Sequence, residues 1–365
     1  MVYVGVDLHR KSSYVAVLAD DGELLASRRI ASQPDEFLRV FGELEAEPTG
    51  VAFEATYGWG WFADLLSDIG IPAHMAHPLA TKAISSARVK NDRVDAKTLA
   101  HLLRTNLLPE AWAAPPEVRD ARKLARTRVS LARISSRLKC QTHALLADQA
   151  IKVPVTDVFG LAGRAFLQEE VLLRPVPQAR LQANLRLIDL LAPELAQAER
   201  ELRELFRADP RIERLTPIPG IGFTTAALIV AEVWDVSRFP SPQHLCSWAG
   251  LTPTEHSSAD HTRRGHISKQ GSRWLRWAMV ESASRPYLKD PTLRRFRDGI
   301  ARRRGAKIAK VALARRLLTL CYYALRDEGG CRAYPVTTKR TKRSVRRRAR
   351  SPQVMASSGT AAASD

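Results

Sequence analysis

The stretch Tyr3-Val4-Gly5-Val6-Asp7-Leu8-His9 has the composition of a buried β-strand, yet it carries a carboxylate near its end. A second apolar run, Val51-Ala52-Phe53-Glu54-Ala55, repeats this arrangement. Burying an unpaired carboxylate costs several kcal/mol, so each acid needs a cation or strong hydrogen-bond donors. Neither strand supplies one. The two strands therefore predict a site at which Asp7 and Glu54 meet partners from other parts of the chain.

The region around these strands alternates β-rich runs with helical patterns. Strands are predicted at 3–8, 13–19, 24–30, 51–55 and 72–76, and helices at 34–45, 59–69 and 92–105. Three strands in succession, followed by alternating strands and helices, indicate a mixed sheet covered by helices. We expect residues 1–110 to form this α/β domain.

Asp92 and Asp95 stand three residues apart at the start of a predicted helix, so both project from one face. With Asp7 and Glu54 they make four carboxylates that could gather at one edge of the sheet. Such oxygen ligands suit Mg²⁺ or Mn²⁺, and a two-metal site would activate an attacking oxygen and stabilise a leaving oxygen at phosphorus. The pattern therefore favours metal-assisted chemistry on phosphate esters.

Structural interpretations of the same acids stay open at this point. Asp92 alone is a more probable helix N-cap than a metal ligand. Asp7 and Glu54 could instead form buried salt bridges, for which Lys90 and Arg93 offer positive charge.

The charge of the chain favours a polyanionic partner. Its 365 residues include 57 lysines and arginines against 38 acids, a net charge of +19. Residues 336–365 hold eight basic residues and one acid and are predicted to be a disordered basic tail, while the remaining residues keep a net charge of +12. No apolar run is long enough to span a membrane and no secretory signal is evident, so we expect a cytoplasmic protein.

Residues 115–207 have the pattern of two long helices. In the first helix leucines recur every seven residues, as in a coiled-coil seam, at Leu124, Leu131, Leu138 and Leu145. The second has apolar residues at spacings of mostly three and four, and Pro193 is expected to kink or break it. We predict an antiparallel coiled-coil stalk. The outer face of the first helix is basic, and we expect Arg122 and Arg126 on it to contact a phosphate backbone.

Residues 210–327 are predicted to form a mainly helical domain. Near its start, Pro219-Gly220-Ile221-Gly222 precedes an apolar helix. Backbone N–H groups at such a helix start can hold a phosphate, as in helix-hairpin-helix modules that grip DNA without reading bases. A glycine turn that merely lets two helices pack is about equally consistent with this motif.

Further along, the segment 254–273 is predicted to be a polar loop rich in hydroxyls, imidazoles and cations. Any single serine here is more often a surface or capping residue than a nucleophile. The cations expected to face nucleic acid are Arg263, Arg264, Lys269 and Arg273.

Together these motifs resemble the DEDD-type transposases of the bacterial insertion-sequence 110 group, which are related to Piv-type DNA invertases. The resemblance spans nearly the whole chain up to about Asp327. The family's Gly-x-Asp strand matches Asp7, its Glu-Ala-Thr strand end matches Glu54, and its paired aspartates match Asp92 and Asp95. The Ile-Pro-Gly-Ile-Gly, Ala-Gly-Leu-Thr-Pro and Ile-Ser-Lys-x-Gly elements follow in the family's order.

The resemblance implies an RNase H-like, RuvC-like N-terminal domain, a coiled coil, and a C-terminal transposase domain with a nucleophilic serine. That serine matches Ser258, which would attack the scissile phosphate beside magnesium held by the four carboxylates. Where the family usually has glycine next, this chain has Ala259 and Asp260, so Ser257 remains an alternative. The resemblance also implies DNA substrates, a structured bridge RNA, and a homo-oligomer (dimer or tetramer) in which one protomer's serine completes another's carboxylate site.

Three other functions fit parts of the sequence. A RuvC-like junction nuclease would use the same metal site with water as the nucleophile. An actin-like sugar kinase shares the core fold, but the chain lacks a later glycine-rich adenosine segment and is too basic. A non-catalytic nucleic-acid-binding protein would need only the cations.

Overall fold

The computed structural model describes residues 1–84, 91–258 and 261–335, without the side chains of 256–258 and 261–264. Lys90, Ala259, Asp260 and the predicted basic tail 336–365 lie outside these described residues. The chain divides into two compact units, Met1–Asp120 and Ala121–Asp365. None of the described helices is long and apolar enough to cross a membrane.

A five-stranded mixed sheet forms the centre of the first unit, with strand order β3-β2-β1-β4-β5. The strands are β1 (Val2–Asp7), β2 (Ser12–Ala19), β3 (Leu24–Ala31), β4 (Pro48–Glu54) and β5 (Ala73–Ala76). β1 pairs antiparallel with β2 and parallel with β4. The predicted mixed sheet covered by helices is therefore confirmed.

Helices cover both faces of this sheet. They are α1 (Pro34–Gly42), α2 (Trp59–Asp68), α3 (Pro78–Ile84) and α4 (Asp92–Arg104). Phe37 of α1 and Phe62 of α2 pack with Val4 and Val6 in the main core of the unit. Because strand side chains alternate between faces, Gly5 and Asp7 point to the opposite side, where α4 lies.

Two long helices run antiparallel at the start of the second unit. In chain order the elements are α5 (Pro116–Asp148), which begins in the first unit, α6 (Leu161–Ala165), a π-helical turn (Phe166–Glu170) and α7 (Pro175–Leu205). Asn184 Nδ2 donates to Thr142 Oγ1 over 3.4 Å, and Arg128 Nε donates to Glu199 over 3.0 Å. At both contacts, a residue near the C-terminus of one helix pairs with a residue near the N-terminus of the other, as expected for antiparallel helices.

The two long helices differ from a simple two-helix stalk in two details. The heptad leucines of α5 are only half-buried, and the fully buried positions beside them are Ala121, Ala125 and Val129, which pack into the helical core of the unit. The N-terminal half of α5 therefore packs against the helical core of the unit as well as against α7. Pro193 is predicted to kink or break the second helix, and it does not break it, because α7 continues through this residue. Asp189, whose carbonyl oxygen loses its intrahelical donor, is an exposed residue, so water can bind there.

The remainder of the second unit is mainly helical, as predicted. Its elements are α8 (Pro210–Leu215), α9 (Phe223–Val233), α10 (Pro242–Trp248), β6 (Pro253–Ser258), β7 (His261–Ile267), α11 (Arg273–Ser282), α12 (Pro291–Arg304), α13 (Ala306–Arg326), β8 (Gly330–Cys331) and β9 (Tyr334–Pro335). Its core is built on α9 and α13, which supply many of its buried residues. Much of the segment 254–273, predicted as a polar loop, is instead the antiparallel hairpin β6–β7, whereas residues 268–272 are a loop as predicted. Backbone pairing between the two strands decides this structure, so the polar side chains do not prevent it.

Candidate active site

The parallel pairing of β1 and β4 places two acids at the ends of neighbouring strands. The register places Val6 opposite Phe53, and Asp7 and Glu54 are the next residues of their strands. Gly5 and Ala52, which precede the acids by two residues, both lie against α4. Alternation along the strands therefore directs Asp7 and Glu54 to the face of the sheet that α4 covers.

Gly5 lets α4 approach the sheet closely. A Cβ at Gly5 would lie 2.0 Å from the Ala96 carbonyl oxygen and 2.5 Å from the Ala100 nitrogen. Only a residue without a side chain fits at this crossing. Since Asp92 and Asp95 precede Ala96 by one turn or less, the crossing brings them towards Asp7.

The N-cap of α4 is Asn91. Its side chain accepts a hydrogen bond of 2.9 Å from the Val94 N–H, and its backbone is extended. The interpretation of Asp92 as the N-cap is therefore wrong, because the neighbouring asparagine already satisfies that donor. Asp92 is the first helical residue, and its carboxylate is not used in the cap.

Asp7, His9 and Asp92 form a compact cluster. Their ligand atoms all lie within 4.8 Å of one another. His9 Nε2 is 3.2 Å from Asp7 Oδ2 and 3.8 Å from Asp92 Oδ1. His9 is thus a site residue that the sequence interpretation missed, and the expectation that the strand supplies no partner for Asp7 is wrong. Its position two residues after Asp7 was the available signal, since such residues share one side of an extended chain.

The electrostatics of the cluster disfavour ionised Asp7. Burial is the largest influence and raises the pKa of its carboxyl. The charges of Asp92 and Asp95 raise this pKa further, while His9 lowers it. The cluster is therefore short of positive charge, and a divalent cation would supply it. Carboxylate oxygens suit Mg²⁺ and Mn²⁺, and an imidazole is also accepted by Mn²⁺, so the donor set fits such an ion.

Two predicted phosphate contacts have internal partners instead. Arg122 donates to the carbonyl oxygens of Ala231 (3.0 Å) and Glu232 (2.8 Å) at the end of α9, and burial lowers its pKa. Arg126 binds the Glu232 carboxylate through two hydrogen bonds of 2.6 and 3.0 Å. Glu232 is only 1% exposed. These contacts indicate that both arginines stabilise the helical core.

The glycine motif before α9 acts mainly in packing. Gly220 has φ +88°, and a Cβ there would lie 2.6 Å from the Ser282 carbonyl oxygen. Gly222 is the N-cap of α9 and faces open space. In the first turn of the helix, Thr224 Oγ1 donates to the Glu199 carboxylate at 3.1 Å. An acid thus already lies near this helix start, which favours the glycine-turn interpretation.

The hairpin carries the predicted serine and two of the predicted cations. Ser258 pairs with His261, while Arg263 and Arg264 pair with His256 and Glu255. The orientations of the side chains at 256–258 and 261–264 are outside the described part of the chain.

Lys269 and Arg273 follow the hairpin and are exposed. Between them Ser272 caps α11 and donates its hydroxyl to Glu232 Oε2 at 2.9 Å. The buried carboxylate that binds Arg126 thus also holds the basic loop in place, a connection that no sequence spacing indicated.

Two family models match the chain. The IS110 model of DEDD type, described as a transposase, matches residues 4–150, and the model of the IS116/IS110/IS902 transposase family matches residues 212–297. The first match includes the acidic cluster, and the second includes the hairpin β6–β7.

Curated relatives agree with these matches. The chain is 25% identical over 339 residues to a probable family 20 transposase of Pseudomonas aeruginosa, covering 89% of this chain and 97% of that protein. It is 25% identical over 328 residues to the transposase for insertion sequence element IS1328 of Yersinia enterocolitica, covering 87% and 95%. It is also 27% identical over 140 residues to the pilin gene-inverting protein of Moraxella bovis, covering 36% and 44%.

The acidic sheet edge and the matches define the class of the protein, a DNA transposase, which cleaves and recombines DNA. Within that class the chain belongs to the IS110 family of DEDD transposases, and its function is the transposition of an insertion sequence.

Proposed function

We propose that this transposase cleaves and rejoins DNA at a divalent-metal site with a serine as the nucleophile. The metal ligands are Asp7, Glu54, Asp92 and Asp95, which would hold Mg²⁺ (or Mn²⁺), and the nucleophile is Ser258. The proposal depends on the cluster at the end of β1, where ligand atoms of Asp7, His9 and Asp92 lie within 4.8 Å of one another.

The chain contributes a set of oxygens fixed before substrate binds. Asp7 and Glu54 stand on adjacent strands of the sheet, and Asp92 and Asp95 on the first turn of α4. Ligands on regular elements keep their geometry better than ligands on loops. A divalent ion held by these residues would supply positive charge at the scissile phosphate and lower the pKa of an attacking hydroxyl.

In the absence of a metal ion, the His9 imidazole is the partner of the Asp7 carboxylate. Its side chain is 53% exposed, so the imidazole can turn outward when a stronger positive charge enters. The Ser258 hydroxyl then attacks phosphorus, the bond from phosphorus to the leaving deoxyribose oxygen breaks, and that oxygen takes a proton. The product is a phosphoserine linkage between protein and DNA.

Site choice and assembly are proposed from the family resemblance. A structured bridge RNA encoded by the element would pair with donor and target DNA. The surplus of basic residues supports an RNA partner as well as DNA, because phosphate contacts give affinity without sequence information. The active form would be a homo-oligomer (dimer or tetramer) in which one protomer's serine reaches another's carboxylates.

Trapping the covalent intermediate tests this chemistry. Wild-type protein and Ser257→Ala should give a protein–DNA adduct on denaturing gels, whereas Ser258→Ala and Asp7→Asn should give none. Cleavage by the wild type without any adduct would favour the nuclease that uses water. Normal excision in cells by Ser258→Ala would remove that serine from the mechanism.

A further inference from the structure

The helix α12 is held in the second unit by very few buried side chains. Of its residues Pro291–Arg304, only Leu293 is buried. Most helices in a folded domain depend on packing of an apolar face. The exposed, arginine-rich surface of α12 is therefore available to bind a partner.

The surface formed by α12 and the start of α13 is strongly basic. Residues 291–310 contain eight arginines and lysines and a single acid, Asp298. That acid already accepts a hydrogen bond of 2.8 Å from Arg297 Nη1. The remaining positive charges are therefore not neutralised by acids of the same segment.

Four of these cations line one concave surface, which we call the α12–α13 groove. Arg297 and Arg302 line one part of it, together with Asp298 and Ala306. Arg297 also lines the adjoining part with Lys307 and Lys310. The adjoining part is a cavity of about 240 Å³ that also includes Ser284 and Tyr287. Tyr287 fixes Arg297, whose guanidinium carbon lies 4.7 Å from the ring centroid.

The two lysines of the groove have no partner among the described residues. Neither Lys307 nor Lys310 makes a hydrogen bond or ion pair there, whereas Arg294 binds the carbonyl oxygens of Tyr287 and Leu288. Lysines without intramolecular partners lose no existing interaction when they bind an external anion. Gly305, with φ +85°, separates the helices α12 and α13. Cations from both helices therefore border a single groove.

We propose that the α12–α13 groove binds the phosphate backbone of duplex DNA. The helix α12 would span about 21 Å at 1.5 Å per residue, a length over which duplex DNA presents roughly a dozen charges. Such contacts position DNA without reading its bases. The inference rests on the proposed function only in taking DNA as the polyanion, and it needs neither the metal site nor the serine.

Salt-dependent binding of the full chain tests the groove. Affinity for a duplex of random sequence is measured in EDTA, so the outcome is independent of cleavage chemistry. In Lys307→Gln/Lys310→Gln, the slope of log K against log salt should be smaller than in the wild type by roughly two, because two phosphate contacts are lost. Raising salt from about 50 to 200 mM should then weaken the variant about tenfold less than the wild type.

A matched control removes two charges elsewhere. Lys152→Gln/Arg186→Gln changes two exposed cations and should leave the slope unchanged. Circular dichroism and melting temperature show whether each variant folds. If the double variant does not fold, Lys307→Gln alone replaces it, and the expected change in slope is then half as large. Equal slopes in wild type and variants would overturn the proposal. A loss confined to structured RNA, with duplex DNA unaffected, would overturn it as well.

Discussion

At the residue scale, the Asp7 carboxyl connects the stability of the fold with the proposed metal site. The pKa of this group is raised in the folded protein, chiefly by burial. Its neutral form is therefore favoured by folding, so the associated stability is present at low pH and is lost as pH rises through the folded pKa. At neutral pH and without metal, the ionised carboxylate destabilises the fold.

The substitution Asp7→Asn should consequently raise the melting temperature in EDTA at pH 7. The gain should disappear near pH 3, where the wild-type carboxyl is protonated. Magnesium should raise the melting temperature of the wild type but not of the variant. Glu45→Gln, an exposed loop position, serves as control. An unchanged or lower melting temperature for Asp7→Asn in EDTA would contradict this prediction.

Asn91 and Asp92 are neighbours with separate roles. Asn91→Ala removes the N-cap of α4 and should lower the free energy of unfolding by about 1 kcal/mol. Asp92→Asn should instead weaken the stabilisation by magnesium, since it removes a proposed ligand and leaves the cap intact. Urea unfolding with and without magnesium distinguishes the two. If Asp92→Asn behaves like Asn91→Ala, the carboxylate has a structural role only.

The ion pair between Arg126 and Glu232 is expected to contribute to stability rather than to DNA affinity. Arg126→Gln removes the guanidinium that binds the buried Glu232 carboxylate through two hydrogen bonds, which should cost about 3 kcal/mol. Urea unfolding measures this loss, and affinity for DNA per folded molecule should change little. Arg137→Gln, exposed on the same helix, should change stability by less than about 0.5 kcal/mol. A strong loss of DNA affinity in stable Arg126→Gln would restore the phosphate contact predicted from sequence.

At the element scale, the site depends on the crossing of β1 and α4. The first turn of α4 carries two of the proposed ligands, and β1 carries a third. Their separation is set by backbone contact at Gly5 rather than by side chains, so one atom added there displaces the whole helix.

Gly5→Ala should therefore cost about 3 kcal/mol and abolish stabilisation by magnesium. The added methyl would lie 2.0 Å from a carbonyl oxygen of α4, which cannot move without the helix. Gly42→Ala is the matched control, because a Cβ at Gly42 meets no atom within 4 Å. Thermal unfolding with and without magnesium measures both effects. Metal-dependent stabilisation that survives in folded Gly5→Ala would show that the crossing does not set the ligand geometry.

At the scale of the whole molecule, the proposed metal ligands all fall within Met1–Asp120. The second unit holds the hairpin with Ser258 and a core of its own. A ligand that binds only the folded first unit stabilises that unit by mass action.

Hydrogen exchange should show this division directly. At magnesium concentrations tenfold above its dissociation constant, exchange of the most protected amides in β1, β4 and α4 should slow about tenfold. Amides of α9 and α13 should be unaffected. Equal protection of both units would contradict a metal site contained in the first. Potassium chloride at the same ionic strength, which does not bind such a carboxylate site tightly, controls for screening.

Much of this molecule follows from local pattern. Apolar alternation and helical periodicity predicted the mixed sheet. The acids at 7, 54, 92 and 95 predicted a metal site, and the structure brings Asp7 and Asp92 into one cluster with His9. The serine hairpin was less predictable, because its polar residues favour no single structure.

The sequence by itself determined the class of fold, the basic character and which acids are proposed as metal ligands, since these depend on residue type and spacing. Tertiary structure alone decided that His9 pairs with Asp7, that Asn91 rather than Asp92 caps α4, and that Arg126 is used internally. The physical reason is the same in each case. A side chain has several partners of similar chemistry within reach along the chain, and only the three-dimensional packing of distant elements selects one of them.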